Sequence, residues 1–279
     1  MNLEANRPKS VMVAAASMCA ALYAIGSYMT AYISSPWGSG QFRPAVVVPS
    51  LFATVFGPMP AAVGAALGTL IADSAKYGYL YPGSLLAAVP GNFLGFFMFG
   101  YILRRRFSWG RYVLASNLTL TVANALVAFL YVFLFKVMYL ADLKYMKMAT
   151  DVLVATSIGL TIWWFVTMLP FVLLVTPVLV RVVVWAVPSV VPEHVRTFSL
   201  KEELPKGTFS LALLVPGLIM LVVGLATTYT SLGIYTNIGA QTMFYASGAV
   251  LSVLGVLVYT RKTFLLRGPS PEKKDAAAR

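Results

Sequence analysis

The 29 residues between Arg43 and Asp73, PAVVVPSLFATVFGPMPAAVGAALGTLIA, carry no charge. As one straight helix they would run about 43 Å, against roughly 30 Å for the hydrocarbon core of a bilayer. Their middle reads Gly57-Pro58-Met59-Pro60. The prolines remove backbone donors and their rings clash with the preceding turn. Gly57 and Met59, each followed by proline, are pushed out of the helical region. The stretch therefore splits into two short apolar helices that meet at a tight break. One arrangement is a broken helix inside the bilayer, where protein or a water-lined cavity must satisfy the freed backbone groups. Breaks of that kind belong to transporters. The other is a helical hairpin that turns at the membrane surface.

Composition agrees with a membrane chain. It is 59% hydrophobic and 11% charged, with a mean hydropathy of +0.80, where soluble domains carry about 25% charged residues. Apolar runs place spans at 10–33, 44–57, 59–73, 82–103, 112–135, 151–186, 211–230 and 240–260. The run at 151–186 exceeds one crossing; either Pro170 and Pro177 kink it or its end lies in the interface. The first span is read as retained rather than as a signal peptide, because its apolar run is too long for a signal core.

The net charge of +12 is a topology signal rather than a nucleic-acid footprint. With both termini in the cytoplasm, only Arg43, Lys76, Lys136, Lys144 and Lys147 of the 21 basic residues fall outside. This bias supports eight spans in the plasma membrane with both ends inside. Segment 1–187 is then a six-span membrane domain and 188–210 a cytoplasmic linker. Segment 211–262 is an additional two-span hairpin and 263–279 a disordered tail. In the linker, Ser199-Leu-Lys-Glu202 has the pattern of a capping box, and a plain connection is the alternative.

Reactive chemistry has little to work with. One histidine, His194, and one cysteine, Cys19, cannot make a zinc or transition-metal site. There is no P-loop and no nucleophile–histidine pair within a span. No metal, no cofactor and no enzymatic activity are expected. What remains is polar and aromatic side chains in the spans. Asn117, Thr121 and Asn124 share a helical face, as do Ser157, Thr161 and Trp164, with Trp163 beside them. Pro90-Gly91-Asn92 is expected to break the fourth span. These groups either bond helix to helix or line a small pocket closed by aromatics. Lys76-Tyr-Gly-Tyr-Leu-Tyr-Pro82 reads as a lid over an external site, or as a tyrosine belt in which Asp73 and Lys76 form a surface pair. Gly64-x3-Gly68 and Gly91-x3-Gly95 mark close helix contacts.

Three features stand in a recognisable order: the alanine face Ala16-x3-Ala20-x3-Ala24, the run Arg43-Pro-Ala-Val-Val-Val-Pro49 leading to Phe56-Gly-Pro58 and Asp73, and Pro90-Gly-Asn-Phe-x-Gly95 before a basic loop. In that order and spacing, residues 10–187 resemble the substrate-binding S component of energy-coupling factor (ECF) vitamin transporters. The resemblance implies an all-α transmembrane fold, a six-helix S-component-like bundle, here with two additional C-terminal transmembrane helices. It implies a subunit that captures a vitamin or similar small organic nutrient. A separate transmembrane coupling subunit and ABC-type ATPases would power uptake. It further implies substrate contacts at Arg43, Lys76, Tyr77, Asn92, Asn124, Trp163 and Trp164, and a coupling-subunit interface at Ala16, Ala20 and Ala24. Two other readings of the residues stay open: a stand-alone secondary transporter, disfavoured by the lack of ionisable residues at mid-membrane, and a non-transporting membrane scaffold.

Overall fold

The computed structural model describes residues 8–35, 40–104, 107–197, 206–229 and 238–260. The expected capping box at Ser199–Glu202 and the tail beyond residue 262 lie outside these residues. The described chain is helical, apart from one antiparallel bridge between Ser34 and Gln41.

Among the described residues, six helical runs are long and apolar enough to cross a membrane: Lys9–Met29, Ser84–Arg104, Trp109–Tyr139, Thr150–Ala186, Lys206–Ala226 and Gln241–Thr260. The first is helix α1 (Lys9–Met29). The uncharged stretch that follows forms a short 3-10 turn, Pro44–Val46, then α2 (Val47–Phe56) and α3 (Pro58–Tyr77). Gly57 separates them with φ 90° and ψ −172°, a conformation in which a side chain is strained. Pro58 then starts α3, where its missing N–H costs nothing.

The two legs are antiparallel, because Arg43 at the entrance to α2 touches Thr69 and Asp73 near the exit of α3. The two legs therefore fold back on each other as a hairpin. The shorter leg, residues 44–56, is about 20 Å long, less than the roughly 30 Å of the hydrocarbon core. The turn is covered by α4 (Val89–Arg104), whose Gly100 lies against Pro58 and Gly57.

Helix α4 follows a π-helical turn, Ser84–Ala88, and passes through Pro90 without the expected break. Proline removes one N–H, and the wider winding just before it takes up the mismatch. Helix α5 (Trp109–Phe129) ends in another π segment, Leu130–Tyr139. The short α6 (Leu143–Met146) leads to α7 (Thr150–Pro170), a π turn at Phe171–Val175, and α8 (Thr176–Ala186). The long run thus changes winding directly after Pro170. A one-turn α9 (Glu193–Arg196) precedes α10 (Lys206–Tyr229) and α11 (Ile238–Thr260).

Small residues set the close crossings. Gly64 and Gly68 bring α3 onto Cys19 and onto the main-chain oxygens of Ala16 and Ala20. Gly91 and Gly95 bring α4 onto Val127 and Ala123, and the Thr119 hydroxyl donates to the Gly95 carbonyl at 3.0 Å. Helices α10 and α11 pair antiparallel, Ser210 with Gly255 (2.8 Å) and Gly217 with Ser252. The buried Phe209 seats this pair on the bundle, its ring parallel to Tyr112 at 6.5 Å and edge-on to Trp109 at 6.3 Å.

Candidate binding cavity

After α1 the chain doubles back on itself. Phe42 N–H donates to the Ile33 carbonyl (2.8 Å), Ser35 N–H to that of Gly40 (3.2 Å), and the Thr30 hydroxyl to that of Phe42 (2.7 Å). This hairpin lies on the indole of Trp164. Gly40 has φ +82°, and a Cβ there would sit 2.9 Å from Trp164 Cζ2. Only glycine permits so close an approach in that conformation. Trp164 Nε1 in turn donates to the Gln41 main-chain oxygen at 3.0 Å.

Arg43 closes the loop. Its guanidinium donates to Thr69 Oγ1, to Asp73 Oδ1 and, at 3.4 Å, to Gln41 Oε1. The second carboxylate oxygen of Asp73 accepts from the Ser84 hydroxyl at 2.7 Å. Asp73 is 4% and Arg43 8% exposed. A buried charge without a partner is strongly unfavourable, so each holds the other in place. Burial alone would lower the Arg43 pKa, but attraction to Asp73 and Tyr23 outweighs it and raises the value, keeping the guanidinium charged. The surface pair of Asp73 with Lys76 is not what forms. The α2–α3 hairpin carries Asp73 to Arg43 instead, and Lys76 Nζ donates to the Ala31 carbonyl at 2.6 Å. Its ammonium also lies 5.5 and 5.6 Å from the ring centroids of Tyr32 and Tyr77.

The lid segment packs as an aromatic wall. Tyr77 stacks on Tyr81 at 4.1 Å, and Tyr81 meets Phe135 edge-on at 5.5 Å. Burial pushes the Tyr81 phenol above its ordinary pKa, so it stays neutral. Two of the π segments border this region and supply Ser84, Ala87, Ala88 and Tyr131 to the cavity. Such windings re-aim side chains and recur at functional sites.

Together these elements enclose about 760 Å³ of space, part of it open to solvent. Of the residues singled out by sequence, Arg43, Lys76, Tyr77, Asn92, Asn124 and Trp164 line it. Trp163 does not; it packs against the apolar core. Asn124 is 6% exposed, and its amide donates to the Met168 thioether at 3.8 Å, a weak acceptor. The shared face of α5 does not converge on the cavity. Asn117 bonds back to the Val113 carbonyl (2.9 Å) and Thr121 is exposed. Ser157 and Thr161 likewise bond carbonyls one turn back, at 3.0 and 2.8 Å.

Gln41, Asp73, Tyr23, Tyr81 and Tyr131 also line the cavity; Tyr81 belongs to the expected lid and Asp73 to the expected surface pair, whereas Gln41, Tyr23 and Tyr131 are not singled out by sequence. One signal was available for Asp73: it and Arg43 are the opposite charges that bracket the uncharged stretch.

The alanine face of α1 is turned largely into the bundle. Ala20 and Ala24 are 5% and 6% exposed, and Ala16 is partly exposed. The glycines of α3 bring that helix against this side of α1.

An apolar helical bundle with a polar-floored, aromatic-walled cavity at one end has the architecture of a membrane-embedded small-molecule binding protein. The family model of the ECF-type riboflavin transporter S component matches residues 9–183, and the chain belongs to that family. It is accordingly a transporter's substrate-binding subunit and not an enzyme. No curated protein and no solved structure matches the chain. Every residue that lines the cavity falls within the matched segment, whereas α10 and α11 lie beyond it.

Proposed function

We propose that this chain captures riboflavin for uptake across the plasma membrane. The observation that carries the reading is the coincidence of the cavity with the segment matched by the riboflavin S-component family. The chemistry of the lining suits a flavin. Trp164 and the Tyr77–Tyr81 stack offer flat faces for a tricyclic ring, while Asn92, Asn124 and Gln41 offer amides for its polar edge and for the ribityl hydroxyls.

In this reading the cavity faces outward and both termini are cytoplasmic, as the distribution of basic residues favours. Helices α10 and α11 add two transmembrane spans that dock on α5. A separate ECF coupling subunit meets α1 along Ala16, Ala20 and Ala24, with the partly exposed Ala16 most accessible, and ABC-type ATPases supply the energy. Loss of partner co-purification in Ala16→Leu would support that edge; full retention would move the contact elsewhere.

The test of substrate is direct. The full chain, purified gently in detergent, should release riboflavin on denaturation or, once emptied, quench the fluorescence of added riboflavin at one-to-one stoichiometry. A protein that neither carries nor binds riboflavin, yet binds another heterocyclic nutrient, would keep the capture role and reject the flavin.

A further inference from the structure

We propose that Asp73 sets the charge the cavity presents to its ligand, and thereby the preference between riboflavin and its phosphorylated form. The inference rests on the flavin reading above. Three charged side chains border the cavity: Arg43, Asp73 and Lys76. Arg43 and Asp73 are buried and bonded to each other. Lys76 sits toward the rim, between the rings of Tyr32 and Tyr77, which are 66% and 41% exposed.

An unpaired guanidinium in such a place would be an anion site, since its planar fork matches phosphate and carboxylate. Asp73 occupies that fork. The Ser84 hydroxyl holds the other carboxylate oxygen, so Asp73 is fixed from two sides. The cavity thus presents one net positive charge in place of two. A neutral ligand is indifferent to this difference. A phosphate ester, with a charge of about −1.5 to −2 at neutral pH, is not. In surroundings of low dielectric, one added positive charge acts on it across the whole cavity, wherever its phosphate settles. Asp73 is therefore a specificity-determining residue that works through Arg43.

The test is a ratio, which a purely structural role would leave unchanged. The full chain in detergent is titrated with riboflavin and with riboflavin 5′-phosphate, and the Kd of the phosphate is divided by that of riboflavin. Asp73→Asn should lower the ratio about tenfold or more. Arg43→Gln should raise it. The double variant Arg43→Gln/Asp73→Asn, which removes both charges, should return it close to the wild-type value. If Asp73→Asn alone does not fold, the fall in ratio from Arg43→Gln to the double variant measures the same effect. A ratio unchanged across all folded variants would overturn the proposal while leaving riboflavin capture intact. A wild-type protein that binds neither flavin would overturn the flavin reading itself, and this inference with it.

Discussion

The indole Nε1 of Trp164 donates to the main-chain oxygen of Gln41 at 3.0 Å, joining residues 123 positions apart. This bond ties the loop after α1 to α7 across the cavity. Trp164→Phe keeps an aromatic face but deletes the donor. The loop then loses an anchor whose net worth is about 1 kcal/mol, and the freed carbonyl must find water. Riboflavin affinity should fall about fivefold to tenfold, mainly through faster release, as stopped-flow fluorescence would register. An unchanged release rate would show that the loop is held by its other contacts alone.

Gly40 tests the same wall from the other side. An added methyl meets both a backbone at φ +82° and the Trp164 ring at 2.9 Å. Gly40→Ala should therefore displace the loop and weaken riboflavin binding more than Trp164→Phe does. The cost in thermal stability should stay modest, of order 1–3 kcal/mol for a non-glycine residue in that region. Gly78→Ala is the control: its φ is +77°, yet an added methyl there meets no neighbour within 4 Å. It should show the backbone cost without the clash with Trp164. Comparing Kd and Tm across the two variants separates the contributions.

What the sequence disclosed follows from what local chemistry encodes. Uncharged runs marked the helices, and Gly57-Pro58 marked the reversal between α2 and α3, because these signals act within a few residues. Side chains reaching the cavity were legible where a polar or aromatic residue is costly in lipid, as for Asn124 and Trp164. Partners were not. Asp73 gained Arg43 only because the hairpin brings the ends of a long uncharged stretch together. The acceptors for Trp164 and Lys76 are main-chain carbonyls of Gln41 and Ala31, and any residue type supplies a carbonyl. Nor does helical periodicity tell how far along α5 a face stays turned to the cavity. Position along the span separates Asn117 from Asn124: Asn117 lies nearer the end expected in the cytoplasm, and of the two only Asn124 lines the cavity. The π segments had no sequence signature beyond the nearby Pro90 and Pro170.

That contrast between two asparagines is itself testable. Asn124 is buried at the cavity with a thioether as hydrogen-bond partner, which leaves its amide for a ligand. Asn124→Leu should leave a polar group of the ligand unpaired, a loss of about 1–3 kcal/mol or roughly tenfold to a hundredfold in riboflavin Kd. Asn117→Leu removes only a bond to the preceding turn of its own helix and should leave Kd within about twofold. Equal losses in the two variants would mean that α5 acts through its packing rather than through Asn124.

Phe209 joins α10 to the bundle at the first turn of α5, against Trp109 and Tyr112. That contact lies about 30 Å along α5 from Tyr131 at the cavity. Truncating a fully buried phenylalanine usually costs about 3–5 kcal/mol. Here part of the loss is softened, because lipid or detergent can fill the gap, as water could not in a soluble core. Phe209→Ala should therefore lower Tm by several degrees and make the α10–α11 pair more accessible to proteolysis, while the riboflavin Kd stays within about twofold. Loss of riboflavin affinity in step with stability would instead show that the C-terminal pair supports the shape of the cavity through the length of α5.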